Sequence, residues 1–118
     1  MKELSQQSEW FVRYHGYLVT KMERNQYDKK KYAFIVMECA EINLEQFLVQ
    51  RKDYRYRLKT NQFLQIMEQI LNALASLEEL HIAHCDIKPE NILIVDEASL
   101  TIKLCDVGSC KVVSKESL

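Results

Sequence analysis

Eight consecutive residues in the second half of the sequence carry side chains able to do chemistry. Residues 84–91 read HCDIKPEN and stand between a long helical pattern and a short apolar run. Because Pro89 disfavours helical backbone angles at Lys88, this segment is predicted to be an irregular loop. A loop that presents a carboxylate, an ammonium group and an amide between two regular elements is typical of a functional site.

A further carboxylate follows this loop at a short distance along the chain. Fifteen residues after Asn91 the sequence reads Asp106-Val107-Gly108, at the point where an alternating strand pattern ends. Gly108 permits a turn with positive φ directly behind the carboxylate. Alone, such a triplet predicts only a turn, and its position after the loop is what makes Asp106 a candidate functional residue.

Strands on both sides of the loop are predicted from residue types and alternation. Aromatic and β-branched residues predict two strands, over residues 10–19 and 31–39, joined by a polar turn over residues 20–30. Residues 92–95 form a short apolar run, and residues 100–104 alternate apolar with polar side chains, as in a half-buried strand. The loop is therefore expected to lead directly into a pair of strands.

Two helices are predicted between the first and second strand pairs. The short one begins at Asn43, whose side chain forms a capping box with Gln46. It has one apolar face, made of Leu44, Phe47 and Leu48. The long one begins at Thr60 and shows the strongest periodicity in the chain. Its apolar stripe consists of Phe63, Ile66, Met67, Ile70, Leu71, Leu74 and Leu77.

Composition narrows the class of protein. The chain has 118 residues, 47% of them apolar and 28% charged, which fits one globular domain. A net charge of -1 gives no reason to expect binding to nucleic acid or to an anionic membrane. No apolar run approaches the roughly 20 residues of a membrane span or resembles a secretory signal. The four cysteines lack CxxC spacing, which predicts reduced thiols of an intracellular protein, in cytoplasm or nucleus: Cys39, Cys85, Cys105 and Cys110.

The order of these features resembles one family. The pattern H-x-D-x-K-x-x-N, followed by two strands and D-x-G, is similar to the catalytic loop and magnesium-binding turn of eukaryotic protein kinases. Lysine within D-x-K-P-x-N resembles the serine/threonine kinases more than the tyrosine kinases. The resemblance implies an α+β chain with a partial protein-kinase-like fold. Residues 1–41 would be a remnant of the small lobe and hinge, and residues 42–118 the N-terminal part of the large lobe, up to the start of the activation segment.

The resemblance also implies an enzyme that uses ATP and Mg²⁺ to phosphorylate a protein substrate on a serine or threonine hydroxyl. In that reaction the protein supplies mainly positioning and charge neutralisation. Asp86 would accept the proton of the substrate hydroxyl. Lys88 would place a positive charge near the transferring phosphoryl group. Asn91 and Asp106 would supply the oxygen ligands that Mg²⁺ prefers.

Residues of a nucleotide pocket are implied in the same way. The second strand resembles the one that leads into the kinase hinge, with Met37 as gatekeeper. Glu38 and Ala40 would offer backbone groups to the adenine edge. Leu93 would form the apolar floor beneath the adenine ring, and Asn43 would stand near the ribose in addition to capping its helix.

Four further positions are matched to the family, two by likeness and two by departure. His84 and Tyr14 correspond to an internal apolar stack that joins the lobes, and both are expected to be buried. Cys85 replaces an arginine that normally pairs with a phosphate on the activation loop, so control by such a phosphate is not expected. Val107 replaces the phenylalanine of D-F-G.

Other parts of the family pattern are not found in this sequence. It contains two glycines, at 16 and 108, and therefore no glycine-rich phosphate loop, and it has no V-A-I-K strand lysine. The 118-residue chain alone is thus expected to be an incomplete domain without measurable phosphotransferase activity. An alternative is a non-catalytic binding or regulatory module derived from a kinase. The long apolar helix leaves open association with a complementing chain or with a second copy.

Overall fold

The computed structural model describes residues 9–23, 27, 29–51, 57–105 and 110–114. Strands and helices mix along the chain, as an α+β fold requires. The strands are β1 (Tyr14–Glu23), β2 (Lys29–Met37), β3 (Ile42–Asn43), β4 (Ile82–Ala83), β5 (Ile92–Asp96), β6 (Thr101–Leu104) and β7 (Lys111–Val112). The helices are α1 (Leu44–Gln50), α2 (Thr60–Glu79) and a 3₁₀ turn (Pro89–Asn91). Within the described ranges, no helix combines the length and hydropathy needed to cross a membrane.

The first two strands form the predicted antiparallel hairpin, with different ends from those predicted. Their register runs from Tyr14 opposite Met37 to Glu23 opposite Lys29. Both strands continue into the polar segment that had been expected to be a turn, so that Lys21 stands opposite another lysine. The ladder is made of backbone hydrogen bonds, which polar residues form as readily as apolar ones. The prediction of a long polar turn was therefore wrong.

The segment before β1 belongs to another sheet, which is why β1 does not begin at Trp10. Phe11 forms a parallel bridge with Leu104. Val12 N–H donates to the Leu104 carbonyl over 3.1 Å, and Leu104 N–H donates to the Trp10 carbonyl over 2.8 Å. The Phe11 side chain is buried. Burial of this aromatic ring in the core explains why the first predicted strand divides into two pieces.

The central sheet has the order β3–β5–β6 and is antiparallel throughout. Its core face is formed by Ile92, Ile94, Ile102 and Leu104, all of them buried. The alternate residues point to the opposite face. There Leu93 lies directly between Asn43 of β3 and Lys103 of β6. The chain thus builds one apolar face for α2 and one mixed face that carries the predicted adenine floor.

Helix α1 confirms the predicted capping box. Gln46 N–H donates to Asn43 Oδ1 over 2.8 Å, and Asn43 N–H donates to Gln46 Oε1 over 3.0 Å. Leu44 and Phe47 are buried as predicted. Leu48 was expected on the same buried face and is instead exposed.

Helix α2 begins at Thr60 as predicted, but only half of its apolar stripe is covered. Ile66, Ile70 and Leu77 are buried, whereas Phe63 is 51% and Leu71 59% exposed. Met67 is exposed and Leu74 is half-buried. The helix packs on β6 and β4 with one side, and among the described elements none covers the other side. Helical periodicity identified an apolar face without indicating how much of it is packed.

Two glutamines of α2 stabilise the turn that joins β5 to β6. Gln69 Nε2 donates to the Leu100 carbonyl over 2.9 Å, and Gln69 Oε1 accepts the Ile102 N–H over 2.9 Å. Gln65 Nε2 donates to the Ser99 carbonyl over 2.7 Å. Leu100 has φ 54°, an angle at which its backbone groups are turned away from the ladder. These side chains are hydrogen-bond partners for backbone groups of the turn and of β6, two of which are partly buried.

Candidate active site

The loop of residues 84–91 lies between β4 and β5 with an irregular backbone, as predicted. Lys88 has φ −156° and ψ 159°, the extended conformation that a following proline favours. Pro89 then begins the 3₁₀ turn, in which Asn91 N–H donates to the Lys88 carbonyl over 2.9 Å. Cys85 has φ 68°, which turns the chain sharply before Asp86. The local backbone therefore projects Asp86 and Lys88 from a defined loop.

Asn91 holds the loop together from its C-terminal end. Its side-chain nitrogen lies 2.9 Å from the Asp86 carbonyl and 2.9 Å from Asp86 Oδ2, and it donates to both. Asn91 itself is buried. An ionised acceptor makes the second of these bonds stronger than a neutral one. The carboxylate of Asp86 is thereby fixed in orientation by a buried amide.

Lys88 lies on the other side of the same carboxylate. Its Nζ is 3.6 Å from Asp86 Oδ1, within the range of an ion pair. The Lys88 side chain is 49% exposed and that of Asp86 32% exposed. The pair therefore faces solvent, where the Coulomb attraction between the two groups is screened. The loop presents a positive and a negative group side by side at an accessible surface.

His84 holds the loop through hydrogen bonds of its ring. The ring is buried, as expected for its stack position. Asp86 N–H donates to His84 Nδ1 over 3.2 Å, so Nε2 carries the ring proton and donates it to the Cys105 carbonyl, 3.0 Å away. Tyr14, expected to be buried with it, is only half-buried, because its strand lies in the separate hairpin. The prediction was confirmed for His84 and wrong for Tyr14.

The predicted metal ligand Asp106 lies outside the described residues, together with Val107 and Gly108. The described residues on both sides of them are bound to the loop region. Cys105 N–H donates to the Asn91 carbonyl over 3.0 Å. On the far side, β7 pairs with β4, which ends directly before His84.

Two residues predicted for the adenine site, Leu93 and Asn43, lie on the mixed face of the central sheet. Leu93 lies there, half-buried, in register with Asn43, whose side chain caps α1. Met37 ends β2 and is exposed. The backbone of Glu38 continues the hairpin, since Glu38 N–H donates to the Arg13 carbonyl over 2.7 Å.

Sequence reasoning missed the role of the Glu38 side chain. Lys103 Nζ donates to both of its carboxylate oxygens, over 2.9 and 2.7 Å, and Arg13 N–H donates to Oε2 over 3.0 Å. Partial burial by itself raises the pKa of Glu38. The hydrogen bonds from Lys103 and Arg13 and the nearby positive charges outweigh it, so the net effect is a pKa below the ordinary value of 4.5. The available signal was a lysine at an outward-alternating position of β6, on the same face of the sheet as Leu93.

Cys85, which departs from the family pattern, takes no part in holding Asp86. Its side chain is exposed, and its Sγ lies 3.5 Å from the Ala83 carbonyl. The described geometry around Asp86 depends on His84 and Asn91. The substitution at position 85 therefore leaves this part of the loop intact.

Comparison with known proteins agrees with this arrangement. A family model described as the protein kinase domain matches residues 3–118. The chain is 36% identical over 85 residues to the serine/threonine-protein kinase dkf-2 of Caenorhabditis briggsae, which covers 71% of the chain and 7% of that protein. It is 41% identical over 80 residues to the probable serine/threonine-protein kinase yakA of Dictyostelium discoideum, 68% of the chain and 5% of the relative.

A human relative is similar to the chain in sequence to the same extent. Homeodomain-interacting protein kinase 4 of Homo sapiens is 37% identical over 84 residues, which is 70% of the chain and 13% of that protein. The chain thus spans a small part, between 5% and 13%, of the length of these curated relatives. The kinase-domain match over nearly all of its length, on a chain with this loop geometry, shows that the chain belongs to the protein kinase family.

Proposed function

We propose that this chain carries the catalytic loop of an ATP-dependent kinase that phosphorylates serine or threonine hydroxyls of a protein substrate. The single observation that carries the proposal is the fixed carboxylate of Asp86. Asn91 orients it from one side, His84 accepts its backbone N–H, and Lys88 lies beside it at the accessible surface.

In this proposal Asp86 accepts the hydrogen bond, and then the proton, of the substrate hydroxyl. A partly exposed carboxylate meets the requirement that a general base be within reach of the incoming group. Asn91 keeps it in one orientation, so little motion is needed before the proton moves. General-base assistance of this kind contributes roughly 10²–10⁴ in rate. Lys88 supplies a positive charge next to the same carboxylate, where the phosphoryl group would pass.

The residues present fit a magnesium ion at the inner end of the loop. The Asn91 nitrogen makes both bonds to Asp86, and its Oδ1, which takes no part in them, is a hard oxygen of the type Mg²⁺ prefers. Asp106 would supply the second protein ligand. Mg²⁺, when bound, neutralises part of the phosphate charge. In the described ranges, histidine, cysteine, aspartate and glutamate form no group of three able to hold a metal on their own.

ATP would place its adenine against the mixed face of the central sheet. Leu93 is the floor, Met37 the gatekeeper at the end of β2, and Asn43 stands near the ribose. Glu38 and Ala40 offer their backbone carbonyl and N–H to the adenine edge.

Calorimetric titration of the 118-residue chain with ATP tests the proposal. We expect weak binding that requires Mg²⁺ and is lost in Asp106→Asn, with Lys111→Met as a charge control on an exposed strand. Since the sequence has no glycine-rich loop, we expect no measurable phosphotransfer by the chain alone. Tight, metal-independent binding would contradict the site. Turnover that disappears in Asp86→Ala would contradict the expected lack of activity.

A second candidate function is a non-catalytic binding or regulatory module. The observation that favours it is the exposed apolar side of α2, with Phe63, Met67 and Leu71 at its surface. Absence of any ATP binding, with and without Mg²⁺, together with tight association through this side would favour the module over the kinase.

A further inference from the structure

The ion pair between Lys103 and Glu38 joins two parts of the chain that are 65 residues apart. Lys103 belongs to β6 of the central sheet, and Glu38 follows directly after β2 of the hairpin. Both side chains are largely withdrawn from water, with 19% of Lys103 and 28% of Glu38 exposed. A pair held over 2.7 Å with such burial is screened less by salt than one on the open surface.

Glu38 is also bound to Arg13, in the segment that precedes β1. Its N–H donates to the Arg13 carbonyl, while its Oε2 accepts the Arg13 N–H. The backbone and the side chain of one residue thus close a ring of hydrogen bonds with Arg13. Lys103 then ties this ring to β6 through both carboxylate oxygens. One carboxylate therefore links the hinge directly to β6.

Lys103 leaves the sheet on the face that carries the proposed adenine floor. It stands directly opposite Leu93 in the β5–β6 register, and its neighbours Ile102 and Leu104 point into the core. Two of the three N–H donors of its ammonium group are directed to Glu38. The positive charge of Lys103 is therefore paired with Glu38 in the hinge rather than directed toward a phosphate group.

We propose that Lys103 is a positioning residue that sets the distance between the hinge backbone at Glu38 and the floor at Leu93. Without it, the hinge loses this direct link to β6 and keeps the indirect path through Arg13 and the Val12–Leu104 hydrogen bond, so the slot between backbone and floor is less firmly fixed in width. The inference that Lys103 affects nucleotide affinity rests on the proposed function. The inference that Lys103 holds the hinge does not rest on it, because the contacts exist within the chain.

Amide hydrogen exchange in the nucleotide-free chain tests the positioning role. In Lys103→Met we expect the Glu38 N–H to exchange at least about tenfold faster, while the N–H of Ile70 in α2 changes less than about threefold. Lys103→Arg should restore slow exchange, because arginine keeps the charge and two donors. The control Lys111→Met removes an exposed lysine and should leave Glu38 unaffected. Equal acceleration at Glu38 and Ile70, or none at Glu38, would overturn the proposal.

If Lys103→Met does not fold, a second variant still tests the proposal. Glu38→Gln keeps the size and one acceptor oxygen for the Arg13 N–H but removes the charge that holds Lys103. It should also accelerate exchange at Glu38, by a smaller factor than the lysine variant. Unchanged exchange in a folded Glu38→Gln protein would count against the ion pair as the anchor.

Nucleotide titration then separates this inference from the proposed function. If the chain binds Mg²⁺-ATP, Lys103→Met should weaken ATP binding by about tenfold and lower the ratio of ATP to GTP affinity, because the hinge groups that distinguish the purines have shifted. An unchanged ratio and affinity would refute the link to the adenine slot. If the original chain binds no nucleotide while exchange at Glu38 still responds to Lys103→Met, the proposed function fails and the positioning of the hinge stands.

Discussion

Replacing Asn91 with leucine tests the arrangement that fixes Asp86. Leucine has the size and branching of asparagine, so the substitution removes two hydrogen bonds without opening a large cavity. The bond to the Asp86 carbonyl is worth about 1 kcal/mol, and the bond to the ionised Oδ2 about 1.5–3 kcal/mol. Since the Asp86 side chain is 32% exposed, water replaces part of the second bond, and its lower limit applies.

The sum predicts that Asn91→Leu lowers the free energy of unfolding by about 2–3 kcal/mol. That is a change of about 30- to 150-fold in the unfolding equilibrium constant. Urea denaturation followed by circular dichroism measures it directly, provided the transition is two-state. Asn72→Leu, at an exposed position of α2, is the matched control and should change stability by less than about 0.5 kcal/mol.

Two results would refute this reasoning. If Asn91→Leu costs no more than Asn72→Leu, the two bonds to Asp86 do not stabilise the loop, and another contact must orient the carboxylate. A loss well above 4 kcal/mol would also disagree, since it would indicate that the whole loop unfolds once Asn91 is changed.

Three further predictions concern other parts of the chain. Gln69→Leu should lower the free energy of unfolding by about 2–4 kcal/mol in the same urea assay, because it leaves the Leu100 carbonyl and the Ile102 N–H without their partner. Because folding lowers the pKa of Glu38, its contribution is complete above pH 4.5 and is lost as the pH falls through the lower folded-state value. The melting temperature should therefore fall by less between pH 6 and pH 3 in Glu38→Gln than in the original chain. Leu71→Glu should reduce self-association measured by light scattering, since it places a charge in the exposed apolar side of α2. If the original chain is a monodisperse monomer, that expectation is wrong.

The parts of the fold that the sequence predicted are those encoded by neighbouring residues. The capping box at Asn43, the helix that starts at Thr60 and the extended Lys88 before proline all depend on contacts or steric rules within a few residues. The apolar strand residues of β5 and β6 were predicted for the same reason. Local patterns therefore sufficed for the elements that flank the loop.

The parts that could not be predicted depend on distant pairings. Strands β4 and β7 have two residues each, too few for any periodic signal, and exist only because they pair with each other. Phe11 enters the core through a bridge to Leu104, which no local pattern of the N-terminal segment indicates. Which half of the α2 stripe is exposed depends on the elements that pack on the helix. Helical periodicity does not indicate which elements these are.

The candidate site divides in the same way. The loop residues were identified from their spacing, whereas the contact between Lys103 and Glu38 joins positions that no motif connects. The roles assigned to Asp86, Lys88, Asn91, the hinge residues and Asp106 stay predictions, as does the division of the chain after residue 41. Each requires a ligand or a rate measurement rather than a contact within the chain.

The way the loop is held explains how the chain can depart from its family at position 85 and keep the geometry around Asp86. The Asn91 amide orients the carboxylate, the His84 imidazole holds the Asp86 backbone, and backbone groups of Cys105 hold both of these residues. None of them involves the side chain of Cys85, which is exposed. An arginine there would add a partner for a phosphate, a contact to a separate group that does not orient Asp86. We therefore propose that the departure at position 85 affects only the response to a phosphorylated segment, and we expect a Cys85→Arg variant to leave the stability of the loop unchanged.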